Sequence, residues 1–131
     1  MRKKSKAILI TGATKRLGLA FTKQSLSMGF SVIAHYRSTA APLKTWLTKN
    51  NHHKKNVYFI QYNLEKNPQL LIDNCSDFPV TLTGLVNNAS IFTKGNLGDI
   101  EHLQSTLTVN TAVPLLLSRL YFIRLSSCWA L

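Results

Sequence analysis

The hydrophobic positions of the chain follow two alternating patterns. Short apolar runs rich in β-branched residues are typical of buried parallel strands, and they cover residues 6–10, 30–36, 57–62 and 82–86. Apolar residues at helical spacing fill the stretches between them, at 17–26, from Pro42 to Leu47, and at 67–72. Strands that alternate with helices favour a parallel sheet with right-handed crossovers. The pattern therefore predicts an α/β protein with a doubly wound sheet.

The pattern changes after position 95. A single long helical signal runs from Ile100 to about Leu120, and Pro114 is expected to kink it because a proline inside a helix removes one backbone hydrogen bond. The second helix is expected to end in the polar stretch 50–56. The absence of a linker or repeat predicts one domain over residues 1–120, followed by an atypical apolar tail over 121–131.

Composition narrows the class of protein to which the chain can belong. The chain has 131 residues and is 45% hydrophobic, which is typical of one globular domain. No uninterrupted apolar run approaches the roughly 18 residues that a membrane span needs, and the basic N-terminus lacks the apolar core of a signal peptide. Two cysteines, Cys75 and Cys128, and four histidines lack metal-type spacing. We expect a cytoplasmic protein with no metal site and no membrane contact.

The net charge of +11 is unevenly distributed. All five acidic residues come after position 64, whereas twelve of the sixteen lysines and arginines come before it. A cationic first half favours a polyanionic partner, and both a nucleic acid and a phosphorylated cofactor satisfy that requirement. Charge alone leaves the two alternatives open.

A glycine-containing turn lies between the first strand and the first helix, at residues 11–18 (TGATKRLG). Gly12 permits a tight turn, and Gly18 permits the helix to begin close to the strand. The free N–H groups and the positive end of the helix dipole then suit a pyrophosphate. An ordinary strand-to-helix turn capped by a threonine is the alternative interpretation.

This turn resembles the TGxxxGxG motif of the short-chain dehydrogenase/reductase family. Arg16 stands where the family usually has its middle glycine, and HYRS at 35–38 with NNAS at 87–90 is similar to the pteridine reductase branch. Val109-Asn110 and the following TAVPL resemble the family's long helix, so the resemblance extends over residues 5–120. It implies a Rossmann-like sheet with strand order 3-2-1-4, incomplete in having about four of the family's seven strands.

The end of the second strand indicates which cofactor is used. NAD-dependent Rossmann folds place an acidic residue there for the ribose hydroxyls, and this chain has Arg37 and Ser38 instead. An arginine pairs with a 2′-phosphate that a carboxylate would repel, and Arg16 is expected to close the same pocket. Charge-assisted hydrogen bonds of about 1.5–3 kcal/mol each would favour NADP(H) by more than about tenfold. A solvated Arg37 is the alternative.

The resemblance implies a wider cofactor site. Asn63 and Leu64 are expected beside the adenine, and residues 87–90 beside the nicotinamide ribose, although Asn87 also suits a plain turn position. The full predicted set is Gly12, Thr14, Lys15, Arg16, Leu17, Gly18, His35, Tyr36, Arg37, Ser38, Asn63, Leu64, Asn87, Asn88, Ala89 and Ser90.

The catalytic set of the family is matched only in part. Asn110 falls on the position of the proton-relay asparagine, whereas the Tyr-x-x-x-Lys pair and its upstream serine belong farther along than the 21 residues that follow Asn110. Tyr62 and Lys66 have the spacing, but they lie beside the adenine region and are rejected as catalytic. We therefore expect a frameshifted or truncated reductase gene, whose chain alone is inactive.

Three functions follow from these motifs. By resemblance the chain is an NADP(H)-dependent oxidoreductase that acts on a small carbonyl or a pterin. The alternatives are a non-catalytic NADP(H)-binding remnant and, from charge alone, a nucleic-acid-binding protein, which lacks the expected pattern of stacking aromatic residues. An uncovered fourth strand and long helix predict poor solubility or pairing with another chain, including a homo-oligomer through the 100–120 helix.

Overall fold

The chain forms a four-stranded parallel sheet with helices on both faces. The computed structural model describes residues 3–92 and 99–129, with side chains described as far as Leu125. The strands are β1 (Ser5–Ile10), β2 (Ser31–Tyr36), β3 (Val57–Gln61) and β4 (Val80–Val86). Their order is β3-β2-β1-β4 with every neighbouring pair parallel. The predicted Rossmann-like order 3-2-1-4 is therefore confirmed.

Three helices connect the strands in the expected order, and two more follow β4. They are α1 (Arg16–Ser27), α2 (Ala41–Lys49), α3 (Pro68–Asn74), α4 (Ile100–Leu107) and α5 (Val113–Trp129). Two 3₁₀ segments, Asn51–Asn56 and Cys75–Asp77, follow α2 and α3. Asn67 begins α3 by accepting a hydrogen bond from the Gln69 N–H on its side-chain oxygen, as its position before Pro68 predicts.

The second helix ends where the polar stretch 50–56 begins, as the sequence predicts. The stretch itself forms the 3₁₀ segment Asn51–Asn56. The His53 ring stacks on Trp46 with 5.5 Å between ring centroids, and the Asn50 side-chain amide donates to the Trp46 carbonyl. These contacts depend on the preceding helix, so composition alone does not reveal them.

Two hydrophobic cores lie on opposite faces of the sheet. On one face, Leu9 and Ile33 pack with Leu71 and Leu117 from α3 and α5. On the other face, strand residues including Ile10, Val32 and Ala34 pack with Leu43 and Leu47 from α2. Successive strand residues point to opposite faces, so strands buried on both sides must be apolar throughout.

The long helix is not a simple kinked helix. A π-helical turn, Thr108–Ala112, separates α4 from α5, and the Val113 N–H bonds to the Thr108 carbonyl five residues back. Pro114 lies just beyond that turn and has no N–H to offer the Asn110 carbonyl, which explains why the irregularity comes before the proline. The helix also continues through residues 121–129, past the predicted limit at 120. Residues 130–131 and the side chains of Cys128 and Trp129 lie outside the described part.

We call α4, the π turn and α5 together the helical arm (residues 100–129). The expectation that no segment is long and apolar enough to span a membrane is wrong for this arm. The stretch Ile100–Leu125 passes that test by length and composition, and 17% of its most apolar window is buried. The sequence analysis did not find this stretch because it looked for an uninterrupted apolar run, and scattered polar residues interrupt the apolar positions here. Core helices of soluble proteins pass the same test, so the expectation of no membrane contact stays a prediction.

Candidate functional site

A pocket of about 270 Å³ lies at the carboxyl ends of β1, β2 and β3. Parallel strands place their exit loops at one edge of the sheet, where the ligands of open α/β folds bind. Ten of the sixteen predicted cofactor residues line this pocket, and so do Thr39 and Val109, which sequence reasoning missed. The ten are Gly12, Thr14, Lys15, His35, Tyr36, Arg37, Ser38, Asn63, Leu64 and Ala89.

A second pocket of about 290 Å³ adjoins the first at Gly12, Lys15 and Ala89. Its remaining lining residues are five more members of the predicted set, Arg16, Leu17, Gly18, Asn88 and Ser90. Asn87 lines neither pocket. The structure therefore gathers fifteen of the sixteen predicted residues around one continuous groove.

Two glycines fix the shape of the turn between β1 and α1. Gly12 has a φ of +64°, a left-handed conformation that favours glycine. A Cβ atom on Gly18 would lie 1.8 Å from the Gly12 carbonyl oxygen, so no larger residue fits there without movement of the backbone. The start of α1 is thus held against the turn, and the N-cap residue Lys15 makes no side-chain hydrogen bond to the first N–H groups of the helix.

The turn is tied to the exit of β4 by hydrogen bonds. The Thr11 hydroxyl accepts from the N–H groups of both Asn88 and Ala89 at 3.0 Å. The Asn88 side-chain amide donates to the carbonyls of Thr11 and Gly12, at 3.0 and 3.1 Å. Asn88 therefore positions the turn, and Thr11, which was not singled out from the sequence, is its partner.

Arg16 begins α1 in a conformation that is rare for its residue type. Its φ is +51°, and among the described non-glycine residues it alone has a positive φ. A left-handed conformation costs a residue with a Cβ atom roughly 1–2 kcal/mol, which accounts for the glycine in the motif that this turn resembles. Arg16 is exposed, so its guanidinium is available to a ligand in the groove.

His35 has a structural role at the floor of the pocket. Its Nδ1 accepts from the Gly12 N–H at 3.1 Å and its Nε2 lies 2.9 Å from the Tyr62 carbonyl. The first bond requires a lone pair on Nδ1, so Nε2 carries the proton. Burial lowers the pKa of His35, against the raising effect of the Tyr62 carbonyl. The ring is neutral and joins the turn to the end of β3.

Thr14 and Asn63 also use their polar atoms within the fold. The buried Thr14 hydroxyl donates to the Thr39 carbonyl at 2.7 Å. The Asn63 side-chain oxygen accepts from the Glu65 N–H at 3.0 Å, which leaves that oxygen a second lone pair and the amide N–H groups for a ligand. Leu64 is buried next to it and gives the pocket an apolar wall.

Arg37 and Ser38 follow β2 at the rim of the pocket, and both are exposed. The Arg37 guanidinium forms an ion pair with the Glu65 carboxylate, with 3.3 Å between Nη2 and Oε2. The other carboxylate oxygen of Glu65 accepts from the Ser105 hydroxyl of α4 at 2.5 Å. Glu65 therefore contacts the pocket rim through Arg37, and sequence reasoning missed it because an acid in a loop after a strand gives no signal by itself.

Asn110 lies in the π turn and holds the chain that leaves β4. Its side-chain oxygen accepts from the Ile91 N–H and its amide donates to the Ile91 carbonyl, both at 2.8 Å. Asn87 contacts the same arm, since its amide donates to the Ser118 hydroxyl at 3.0 Å. Both side chains connect the sheet to the helical arm, and Asn87 does so outside the groove.

Two further predictions concern groups away from the groove. The Tyr62 hydroxyl donates to the Asn67 carbonyl at 2.5 Å, a local bond in the loop after β3, and its rejection as a catalytic residue stays a prediction. Among the described residues no group of three or more histidine, cysteine or acidic side chains is placed to hold a metal ion. Cys75 is buried, and burial raises the pKa of its thiol to about 11.

Comparisons with known proteins agree with this geometry. The family model for short chain dehydrogenases matches residues 6–126. The alternative dihydrofolate reductase 1 (FolM) of Brucella suis, solved in complex with NADP, has 27% sequence identity and a TM-score of 0.74, over 86% of this chain and 48% of that one. Its counterpart from Brucella canis, complexed with NADP, has 27% identity and a TM-score of 0.73 over 87% and 47% of the two chains.

A carbonyl reductase from chicken fatty liver, with NADPH bound, shares the fold at 21% identity and a TM-score of 0.67, over 92% of this chain and 48% of that one. No curated protein sequence matches the chain. The chain spans about half the length of the solved structures that it matches. Because the family model covers nearly all of it, the chain belongs to the short-chain dehydrogenase family.

Proposed function

We propose that this member of the short-chain dehydrogenase family binds NADP(H) in the groove at the carboxyl ends of its strands. The observation that carries the proposal is the position of Arg37 and Ser38 at the pocket rim directly after β2, where an NAD-specific fold has a carboxylate. The two Brucella reductases, which were solved with NADP, support the choice of cofactor.

The groove offers a different chemistry to each part of the cofactor. The first turn of α1 and its glycines accept the pyrophosphate through backbone N–H groups and the helix dipole. Arg37, Ser38 and Arg16 pair with the adenosine 2′-phosphate. Asn63 and Leu64 contact the adenine, and the chain that leaves β4 at Ala89 and Ser90 contacts the nicotinamide ribose.

The activity that this site serves is hydride transfer from NADPH to a small carbonyl or a pterin. The dihydrofolate reductase activity named for the Brucella proteins supports a pteridine or dihydropteridine reductase type. Of the family's catalytic set, Asn110 alone is matched in the sequence. We therefore propose that residues 1–131, taken alone, bind the cofactor without turnover.

The proposal includes the surroundings of the chain. Leu107 and Leu115 on the helical arm are 53% and 70% exposed, which supports a homo-oligomer through the 100–120 helix. We further propose that the partner of the chain is a small-molecule substrate, and that the chain acts in the cytoplasm without binding nucleic acid or a membrane.

A fluorescence titration of the purified chain with NADPH, followed by a turnover assay with dihydrobiopterin, tests this function. Saturable NADPH binding without turnover is the expected result. Turnover would contradict the proposed inactivity of the chain alone. A folded chain that does not bind NADPH, and instead binds a DNA duplex with strong salt dependence, would favour the nucleic-acid alternative.

A further inference from the structure

Glu65 lies one residue beyond the pocket wall formed by Asn63 and Leu64. Its backbone N–H is fixed by the Asn63 side chain, and its carboxylate extends toward the loop that follows β2. The loops after β2 and β3 are neighbours because the two strands pair in parallel. A carboxylate from the loop after β3 is thus brought next to Arg37, which follows β2 where an NAD-specific fold has its acid.

The two oxygens of this carboxylate contact different elements, the loop after β2 and helix α4. Oε2 is 3.3 Å from Nη2 of Arg37, and Oε1 accepts from the Ser105 hydroxyl at 2.5 Å. The Glu65 side chain is 27% exposed and that of Arg37 is 58% exposed, so the ion pair borders the solvent-filled rim. Ser105 restrains the carboxylate where it can pair with Arg37.

We infer that Glu65 is a specificity-determining residue that competes with the 2′-phosphate of the cofactor for the Arg37 guanidinium. This inference rests on the proposed function, because it concerns the same Arg37. Carboxylate and phosphate oxygens accept from the same type of guanidinium N–H, so the Nη2 donor that pairs with Glu65 is taken from the set that a 2′-phosphate can use. The Glu65 carboxylate also repels a nearby dianionic phosphate, and both effects weaken the preference for a phosphorylated ribose.

A cofactor fragment isolates this effect. The ligands 2′,5′-ADP and 5′-AMP differ by the 2′-phosphate alone, so the ratio of their dissociation constants reports on that group. Isothermal titration calorimetry measures both constants for the wild-type chain and for Glu65→Gln, which keeps the shape of the side chain and removes its charge. Glu101→Gln is the matched control, because it removes one negative charge on the first turn of α4.

Glu65→Gln is expected to tighten binding of 2′,5′-ADP by about two- to fivefold, the range typical of losing a partly exposed ion pair. Binding of 5′-AMP is expected to stay unchanged. Ser105→Ala, which releases the carboxylate without removing it, is expected to shift the ratio in the same direction by less, and Glu101→Gln is expected to leave it unchanged. Because Ser105→Ala tests the same contact from α4, the inference does not depend on a single variant.

The outcomes separate this inference from the function on which it rests. If the wild-type chain prefers 2′,5′-ADP and Glu65→Gln leaves the ratio unchanged or lowers the preference, Glu65 does not compete and the proposed function still stands. A folded wild-type chain that binds neither fragment overturns the proposed function, and the role of Glu65 with it.

Discussion

Two regions of the molecule are stabilised in different ways. One is the polar joint, the hydrogen-bonded cluster of Thr11, Gly12, His35, Asn88 and Ala89, and the other is the helical arm after position 99. In the joint, hydrogen bonds of the buried Thr11 and His35 connect the turn to the sheet and to the floor of the pocket. Every buried side-chain polar atom of the described residues has a hydrogen-bond partner. The arm instead presents large apolar side chains to solvent, among them Leu103, Leu107, Leu115, Leu116 and Phe122. The polar groups of the joint are thus all paired within the described chain, whereas several large apolar side chains of the arm are not covered by it.

The largest expected effect concerns the close approach at Gly18. Gly18→Ala places a Cβ atom 1.8 Å from a backbone oxygen, so the start of α1 must move, and we expect a loss of about 3 kcal/mol or more in unfolding free energy. Gly29→Ala is the matched control, since Gly29 has a φ of +87° but a Cβ atom added there would meet no atom within 4 Å, and this variant should lose about 1 kcal/mol. Urea denaturation measures both. Equal losses would show that the close contact is not what makes Gly18 necessary.

Two adjacent leucines on α5 test the contrast within the arm itself. Leu117 is 0% exposed and Leu116 is 42% exposed. Leu117→Ala is expected to lower the unfolding free energy by about 2–5 kcal/mol because it leaves a cavity, and Leu116→Ala by less than about 1 kcal/mol. Thermal or urea unfolding compares them. A comparable loss in both variants would mean that the outer face of the arm is also covered in solution.

The hydrogen bonds of Thr11 test the joint without steric change. Thr11→Val keeps the size of the side chain but leaves the N–H groups of Asn88 and Ala89 without their acceptor, which should cost about 2 kcal/mol. Thr81→Val, at an exposed position of β4, should change stability by less than about 0.5 kcal/mol. If the two variants are equally stable, the threonine hydroxyl does not hold the β4 exit to the turn.

The smallest effect is a pH dependence from His35. Its pKa is lowered in the folded chain, so between that value and the ordinary 6.5 the unfolded chain binds more protons. The stabilising contribution is fully present above pH 6.5 and is lost as the pH falls through the folded-state value. Urea unfolding at about pH 7.5 and about pH 5.5 should show a decrease in the wild type that is smaller in His35→Gln.

His53→Gln is the control for that measurement. The pKa of His53 is also lowered, by burial and by the charge of His52, but the residue lies in the 3₁₀ segment after α2. Its loss should leave most of the pH dependence in place. An unfolding free energy that rises on acidification would contradict the role of His35.

The sequence predicts the strands and the glycine turn well because their signals are local. Apolar periodicity is enough for the four strands, and the spacing of Gly12 and Gly18 reflects a turn built from neighbouring residues. The contacts of Glu65 with Arg37 and of His35 with the Tyr62 carbonyl join residues 28 and 27 positions apart, so no short motif encodes them. The missing N–H of Pro114 is visible in the sequence and predicts an irregularity in the long helix, but it does not predict that the irregularity is a π turn.

The central claim is that the Arg37 side of the groove selects the 2′-phosphate. Competing fluorescence titrations with NADPH and NADH test it in the wild type, in Arg37→Gln, and in Arg119→Gln, which removes an exposed arginine of α5. The wild type and Arg119→Gln should prefer NADPH by more than about tenfold, and Arg37→Gln should lose about tenfold of that preference. A folded wild-type chain that binds both cofactors equally, or an Arg37→Gln variant that keeps the preference, would contradict the claim.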